Sequence, residues 1–209
     1  MVSTEVLMAI FMTSFVLSLV PGPDNIFLLT QSILEGPIAG ICLTLGLLTG
    51  IIFHTIAVIF GVTVIIKSSV LAFTILKIFG VGYLLYLAWG AFKASGSIST
   101  GKDNKPRGNF KLYRRGIIMN ISNPKIAIFF LAFFPQFIDP ELGSIARQTI
   151  ELATAFILAF LIVFIAIAYL AGWLGEFLQK SDKAQTIMNR LAGTIFAGLA
   201  LKLAFTSNT

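Results

Sequence analysis

Inside one long apolar run of this chain, residues 5–34, stand two helix-breaking prolines and a carboxylate: Pro21, Gly22, Pro23, Asp24 and Asn25. Proline has no backbone N–H and its ring clashes with the preceding turn, so a helix cannot pass through this segment undisturbed. The surroundings make a bilayer the relevant solvent. Of 209 residues, 57% are hydrophobic and only 11% charged, and the mean hydropathy is +0.94, which excludes an ordinary soluble domain. A helix broken in lipid frees backbone groups that only protein or a polar cavity can satisfy.

Six runs are long enough to cross, at 5–34, 37–66, 70–92, 112–138, 148–177 and 187–205, given that a span needs about 20 residues. The expected fold is therefore an all-α integral membrane protein with about six transmembrane helices, the first and fourth broken by proline. No basic residue precedes the first run, which reads as a retained span and not as a signal peptide. Lys93, Lys102, Lys105, Arg107, Lys111, Arg114 and Arg115 crowd one loop. The positive-inside rule puts that loop in the cytoplasm and both termini outside. The net charge of +6 is thereby read as a topology signal and not as a nucleic-acid surface. The loop, 96–111, separates two halves of three spans, 1–95 and 112–209, and an odd number of spans per half makes the halves inverted repeats. Lys77-x-x-Gly80-x-x-Tyr83 and Arg190-x-x-Gly193-x-x-Phe196 form a faint internal repeat, although under the same offset Pro124 falls opposite Phe11 and not Pro21. Cys42 is the only cysteine, so neither an intramolecular disulfide nor a thiolate cluster is expected, and no metal or cofactor is.

The second half carries its own interruption, Asn120-Ile121-Ser122-Asn123-Pro124-Lys125. Paired broken helices in two halves are the pattern of a transporter's central site; the competing reading is two simple proline kinks with snorkelling charges. Asp24 lies ten residues before Leu34, and Lys125 nine residues after Gly116. At about 1.5 Å per residue both stand about 14–15 Å from the inner edge, the midplane of a ~30 Å hydrocarbon core. An acid and an amine at one depth suit a ligand with both charges, such as a free amino acid. Half-helix N-termini add N–H donors for its carboxylate. Asn25, Asn120 and Asn123 supply both donors and acceptors.

Burial favours the protonated form of a carboxyl group, which makes Asp24 the expected proton-coupling residue. His54, the only histidine, either relays protons or sits hydrogen-bonded in the bundle. Gly46, Gly50 and His54, four apart, form a close-packing stripe. Lys77, Tyr83, Gln136 and Arg190 are candidates for a gate or path, each with a plainer alternative as a snorkelling, packing or capping residue. Phe129, Phe130, Phe133, Phe134 and Phe137 face lipid or pack. A homodimer is one use for the glycine faces.

Pro21-Gly22-Pro23-Asp24-Asn25, Lys77-x-x-Gly80-x-x-Tyr83-Leu84, and Asn120-x-x-Asn123-Pro124-Lys125 followed by Phe129-Phe130 and Pro135-Gln136-Phe137 together resemble the lysine exporter family (LysE/RhtB), in its homoserine/threonine exporter branch. The resemblance covers essentially the whole chain. It implies a bacterial inner-membrane permease, built as an inverted pair of three-helix repeats, that exports amino acids or their derivatives in exchange for protons. Export of divalent cations or another small solute is the alternative within transport, although one histidine, one cysteine and one buried aspartate make a poor soft-metal site. An intramembrane enzyme using Asp24 is the alternative of another class. Against it, an aspartyl protease would need a second intramembrane aspartate, and no Gly-x-Ser-Gly motif supports a serine protease.

Overall fold

The computed structural model describes residues 1–20, 22–68, 70–93, 108–180 and 182–205. Pro21 and most of the basic loop, Lys102, Lys105 and Arg107 included, lie outside the described residues. Among the described residues the chain is all-helical, with eight α-helices and no strand. They are α1 (Thr4–Leu19), α2 (Pro23–Glu35), α3 (Pro37–Ser68), α4 (Val70–Lys93), α5 (Asn109–Ile121), α6 (Pro124–Ile128), α7 (Ile145–Lys180) and α8 (Asp182–Phe205).

Proline and glycine set the boundaries. Pro23, Pro37 and Pro124 are first residues of α2, α3 and α6, where a missing N–H costs nothing because that donor has no intrahelical partner. Gly36, at φ 86°, ends α2 in a left-handed conformation that a side chain would disfavour, and turns the chain into α3. Beyond α6 the helix widens into a π turn, Phe129–Phe133, and then tightens into a 3-10 turn at Phe134–Phe137. The expected breaks at Pro23 and Pro124 are present: α1 and α2 meet at 62°, and α5 meets α6 with its continuation at 50°.

The stretches Pro37–Gly61 and Ile145–Ala171 are long and apolar enough to cross a membrane as single helices, and each bent pair qualifies as one further span. The outer surface suits lipid: Phe53, Phe60, Phe79, Tyr169 and Trp173 are all exposed. In the interior, α3 runs along α5, α1 along α7 and α4 along α8, with α3 also against α7 and α2 wedged between them. The stripe on α3 is a packing face. A Cβ at Gly46 would meet the Tyr113 carbonyl, one at Gly50 the Asn120 side chain, and one at Gly116 the Leu43 carbonyl. The faint repeat also lands at one interface: Gly80 of α4 faces Leu203 of α8, and Gly193 of α8 faces the Phe92 ring of α4.

The phenylalanines after Lys125 pack and do not face lipid. Phe129, Phe130, Phe133 and Phe134 are at most 2% exposed and stack with one another and with Phe156 of α7. Phe156, Phe160 and Phe164 continue the stack along α7. Phe137 is only half-buried, at the end of the 3-10 turn.

Candidate functional site

Both helix breaks expose carbonyls at the ends of α1 and α5, and the nearby polar side chains are spent largely on them. Pro124 has no N–H to give the Asn120 carbonyl four residues back. That carbonyl instead accepts the Asn123 N–H at 3.0 Å and His54 Nε2–H, reaching over from α3, at 3.1 Å. A backbone carbonyl only accepts, so Nε2 carries the proton. At the end of α1, the Ser18 carbonyl accepts Asn25 Nδ2–H at 2.6 Å. The Val20 carbonyl accepts the Lys125 ammonium at 3.5 Å.

The two breaks therefore meet and exchange contacts. Asn123 uses both ends of its carboxamide: Oδ1 caps α6 by accepting the Lys125 N–H at 3.0 Å, and Nδ2 donates to Asp24 Oδ2 at 2.5 Å, across 99 residues of sequence. Lys125 returns the contact by placing its ammonium at the first break, on the Val20 carbonyl. Gly22 makes room for this, since a Cβ there would stand 3.3 Å from Lys125 Nζ and 3.8 Å from Asn25 Oδ1. Its φ of −150° is open to any residue, so the requirement is for space and not for conformation.

Asp24, Asn25, Asn120, Asn123 and Lys125 are each at most 8% exposed. Asn25 Oδ1 and both polar atoms of the Asn120 carboxamide have no partner, unusual for groups whose burial without one costs about 1–3 kcal/mol each. The N-terminus of α6 is closed by Asn123, whereas α2 follows Gly22 and has no side-chain cap. Free N–H groups, the Lys125 ammonium and the Asn25 amide thus converge at the start of α2, with the Asp24 carboxylate beside them. This arrangement can hold a carboxylate at the first group and an ammonium at the second.

Four of the five residues expected to bind substrate, Asp24, Asn25, Asn123 and Lys125, are brought together, whereas the Asn120 side chain lies against Gly50 of α3 and it is the Asn120 backbone that takes the contact from His54. The gate candidates are elsewhere. Tyr83 packs on Tyr86 at 5.9 Å, Arg190 is exposed on α8, and Gln136 folds back onto the Ala132 carbonyl. Lys77 is half-buried on α4. Sequence reading missed Gln31 and Ser32 of α2, both buried and each with an unpartnered oxygen; their i+7 spacing from Asp24 and Asn25 was the available signal. It also missed Ser14 on α1, fully buried with its hydroxyl unpartnered.

His54→Leu should lower stability by about 0.5–1.5 kcal/mol, because it removes one of the two donors to a buried carbonyl. His54→Gln keeps an N–H in reach and should leave both thermal stability and pH-gradient-driven transport near wild type; a thermal melt and a transport assay on both variants check this.

The model of the LysE type translocator family matches residues 15–207. A homoserine/homoserine lactone efflux protein of Salmonella typhimurium is 33% identical over 196 residues, covering 94% of each chain. An uncharacterized membrane protein of Bacillus subtilis, YrhP, is 31% identical over 193 residues, 88% of this chain and 91% of its own. An uncharacterized membrane protein of Vibrio cholerae is 29% identical over 200 residues, 96% of this chain and 97% of its own. No solved structure matches the chain.

Proposed function

The chain belongs to the LysE type translocator family, a family of transporters and not of enzymes, and we propose that it exports small zwitterionic amino acids or their close derivatives by antiport with protons. The observation that carries this reading is the crossed contact between the breaks, Asn123 to Asp24 and Lys125 to the Val20 carbonyl. In the structure these groups bond one another across the two breaks. An incoming carboxylate takes Lys125 and the uncapped start of α2, and an incoming ammonium takes Asp24. A proton on Asp24 is the alternative to the ammonium, which makes the two cargoes mutually exclusive at one carboxylate and so couples their opposed movement.

The name of the Salmonella relative supports a small polar amino acid, of the homoserine or threonine kind, as cargo. Among the described residues no group of three or more His, Cys, Asp and Glu could hold a metal ion.

The proposed architecture is six spans in two inverted halves, with α4 and α8 as the remaining two spans. Each has 24 residues, about 36 Å of helix at about 1.5 Å per residue. The packing pattern supports the inversion. Exchanging the halves turns the α3–α5 contact into the α7–α1 contact and returns α4–α8 and α3–α7 to themselves. Lys93 at the end of α4 and Lys111, Arg114 and Arg115 on α5 support a cytoplasmic placement for that face of a bacterial inner-membrane protein, with both termini outside.

The test is efflux of preloaded radiolabelled amino acids, homoserine and threonine among them, from vesicles with and without a pH gradient. Selective efflux that collapses with the gradient is expected. Absence of efflux for every amino acid sinks the reading.

A further inference from the structure

We propose that Gln31 and Ser32 form a second substrate station, on the cytoplasmic side of the central site, where cargo is first received. The inference rests on the transport reading above and adds a site to it. On α2, Asp24, Leu28 and Gln31 follow one line of the helix, and Asn25, Leu29 and Ser32 the line beside it. Seven residues at about 1.5 Å each put Gln31 and Ser32 about 10 Å from the central pair, towards the Gly36 turn and the basic end of the bundle.

Gln31 is 2% and Ser32 5% exposed, and Gln31 Oε1 and Ser32 Oγ have no partner. The hydroxyls around them behave otherwise. Thr30 bonds the Ile26 carbonyl and Thr44 the Gly40 carbonyl, each one turn back on its own helix, the usual refuge for a hydroxyl in a membrane helix. Ser32 does not take that refuge. Its hydroxyl turns out of α2 towards α3, into the space that a Cβ on Gly40 would fill, with Ala168 of α7 alongside. A buried polar atom left without a partner is costly. Two such atoms at adjacent positions fit a ligand that arrives and leaves.

The chemistry is that of a waypoint. An amide and a hydroxyl offer uncharged hydrogen bonds to an ammonium, carboxylate or hydroxyl, strong enough to replace lost hydration but without the opposite charges of the Asp24–Lys125 site. The corresponding stretch beyond the second break carries Phe129, Phe130, Phe133 and Phe134, all buried and apolar. A polar station thus exists on one side of the centre and an aromatic wall on the other. An exporter loads from the cytoplasm, the polar side.

Uptake of radiolabelled L-homoserine and L-threonine into inside-out membrane vesicles reads the cytoplasmic-side KM directly. Gln31→Met and Ser32→Ala should each raise that KM about fivefold, the worth of one hydrogen bond, with the maximal rate and the unfolding midpoint preserved. Replacing an unpartnered buried polar group by an apolar one of similar shape is neutral or stabilising to the fold, so a purely structural role would leave KM unmoved. If wild type transports, Asp24→Asn does not, and both variants keep the wild-type KM, the station is refuted while the central site stands. A lowered midpoint with unchanged KM refutes it equally. If wild type takes up neither amino acid, the station falls together with the transport reading.

Discussion

Asp24→Asn should abolish pH-gradient-driven efflux and weaken substrate binding about 10- to 100-fold while leaving the helices assembled. Asparagine keeps the shape and can still meet the Asn123 amide through its own oxygen, so the contact at 2.5 Å loses its charge but not its geometry. What goes is the negative charge that answers an ammonium. A hydrogen bond to a charged group is worth about 1.5–3 kcal/mol, and about 1.4 kcal/mol is a factor of ten in affinity. Coupling should be lost altogether, because a carboxamide does not exchange protons in this range. Lys125→Met is the complementary change: it removes the ammonium that lies at the Val20 carbonyl and leaves Asp24 buried without a cation. A buried carboxylate left with no cation near it is costly, so this variant should lose thermal stability as well as transport. Binding and efflux assays run in parallel with melts separate the two. Wild-type gradient dependence in Asp24→Asn would remove that residue from the coupling step.

The second large effect is steric. Gly116→Leu should prevent proper assembly of the bundle, and Gly116→Ala should already destabilise it by about 1–3 kcal/mol or more. A Cβ on Gly116 would strike the backbone of α3 at the Leu43 carbonyl and the Leu47 nitrogen. Backbone cannot swing aside as a side-chain tip does, so α3 and α5 would have to separate. That movement would pull His54 from the Asn120 carbonyl and displace the second break. Gly82, around which a Cβ would meet nothing, supplies the control: Gly82→Ala should be silent. Detergent-solubilised yield and melting temperature read both.

Much of this was legible in the chain. The breaks follow from proline chemistry, which acts within four residues of itself, and α2, α3 and α6 begin at Pro23, Pro37 and Pro124. The stripe of Gly46, Gly50 and His54 was visible as a spacing of four, and it is the face that meets α5. The phenylalanines after Lys125 were not decidable, because an aromatic run serves a lipid face and a buried face equally well. Only the rotation of the helix, with its π turn at Phe129–Phe133, turns them inward.

By itself the sequence determined that the chain is membrane-embedded and helical and where two helices break, and it raised the expectation that Asp24 and Lys125 stand at one depth. These are consequences of local chemistry: hydropathy summed over a span, a missing N–H, a rise per residue. The tertiary structure decided the partners. It gave Asp24 to the Asn123 amide and Lys125 to the Val20 carbonyl, drew His54 to a freed carbonyl, and left Gln31 and Ser32 buried without partners. Contacts between residues about a hundred positions apart depend on how helices rotate and press together, and that is settled by the packing of the whole bundle.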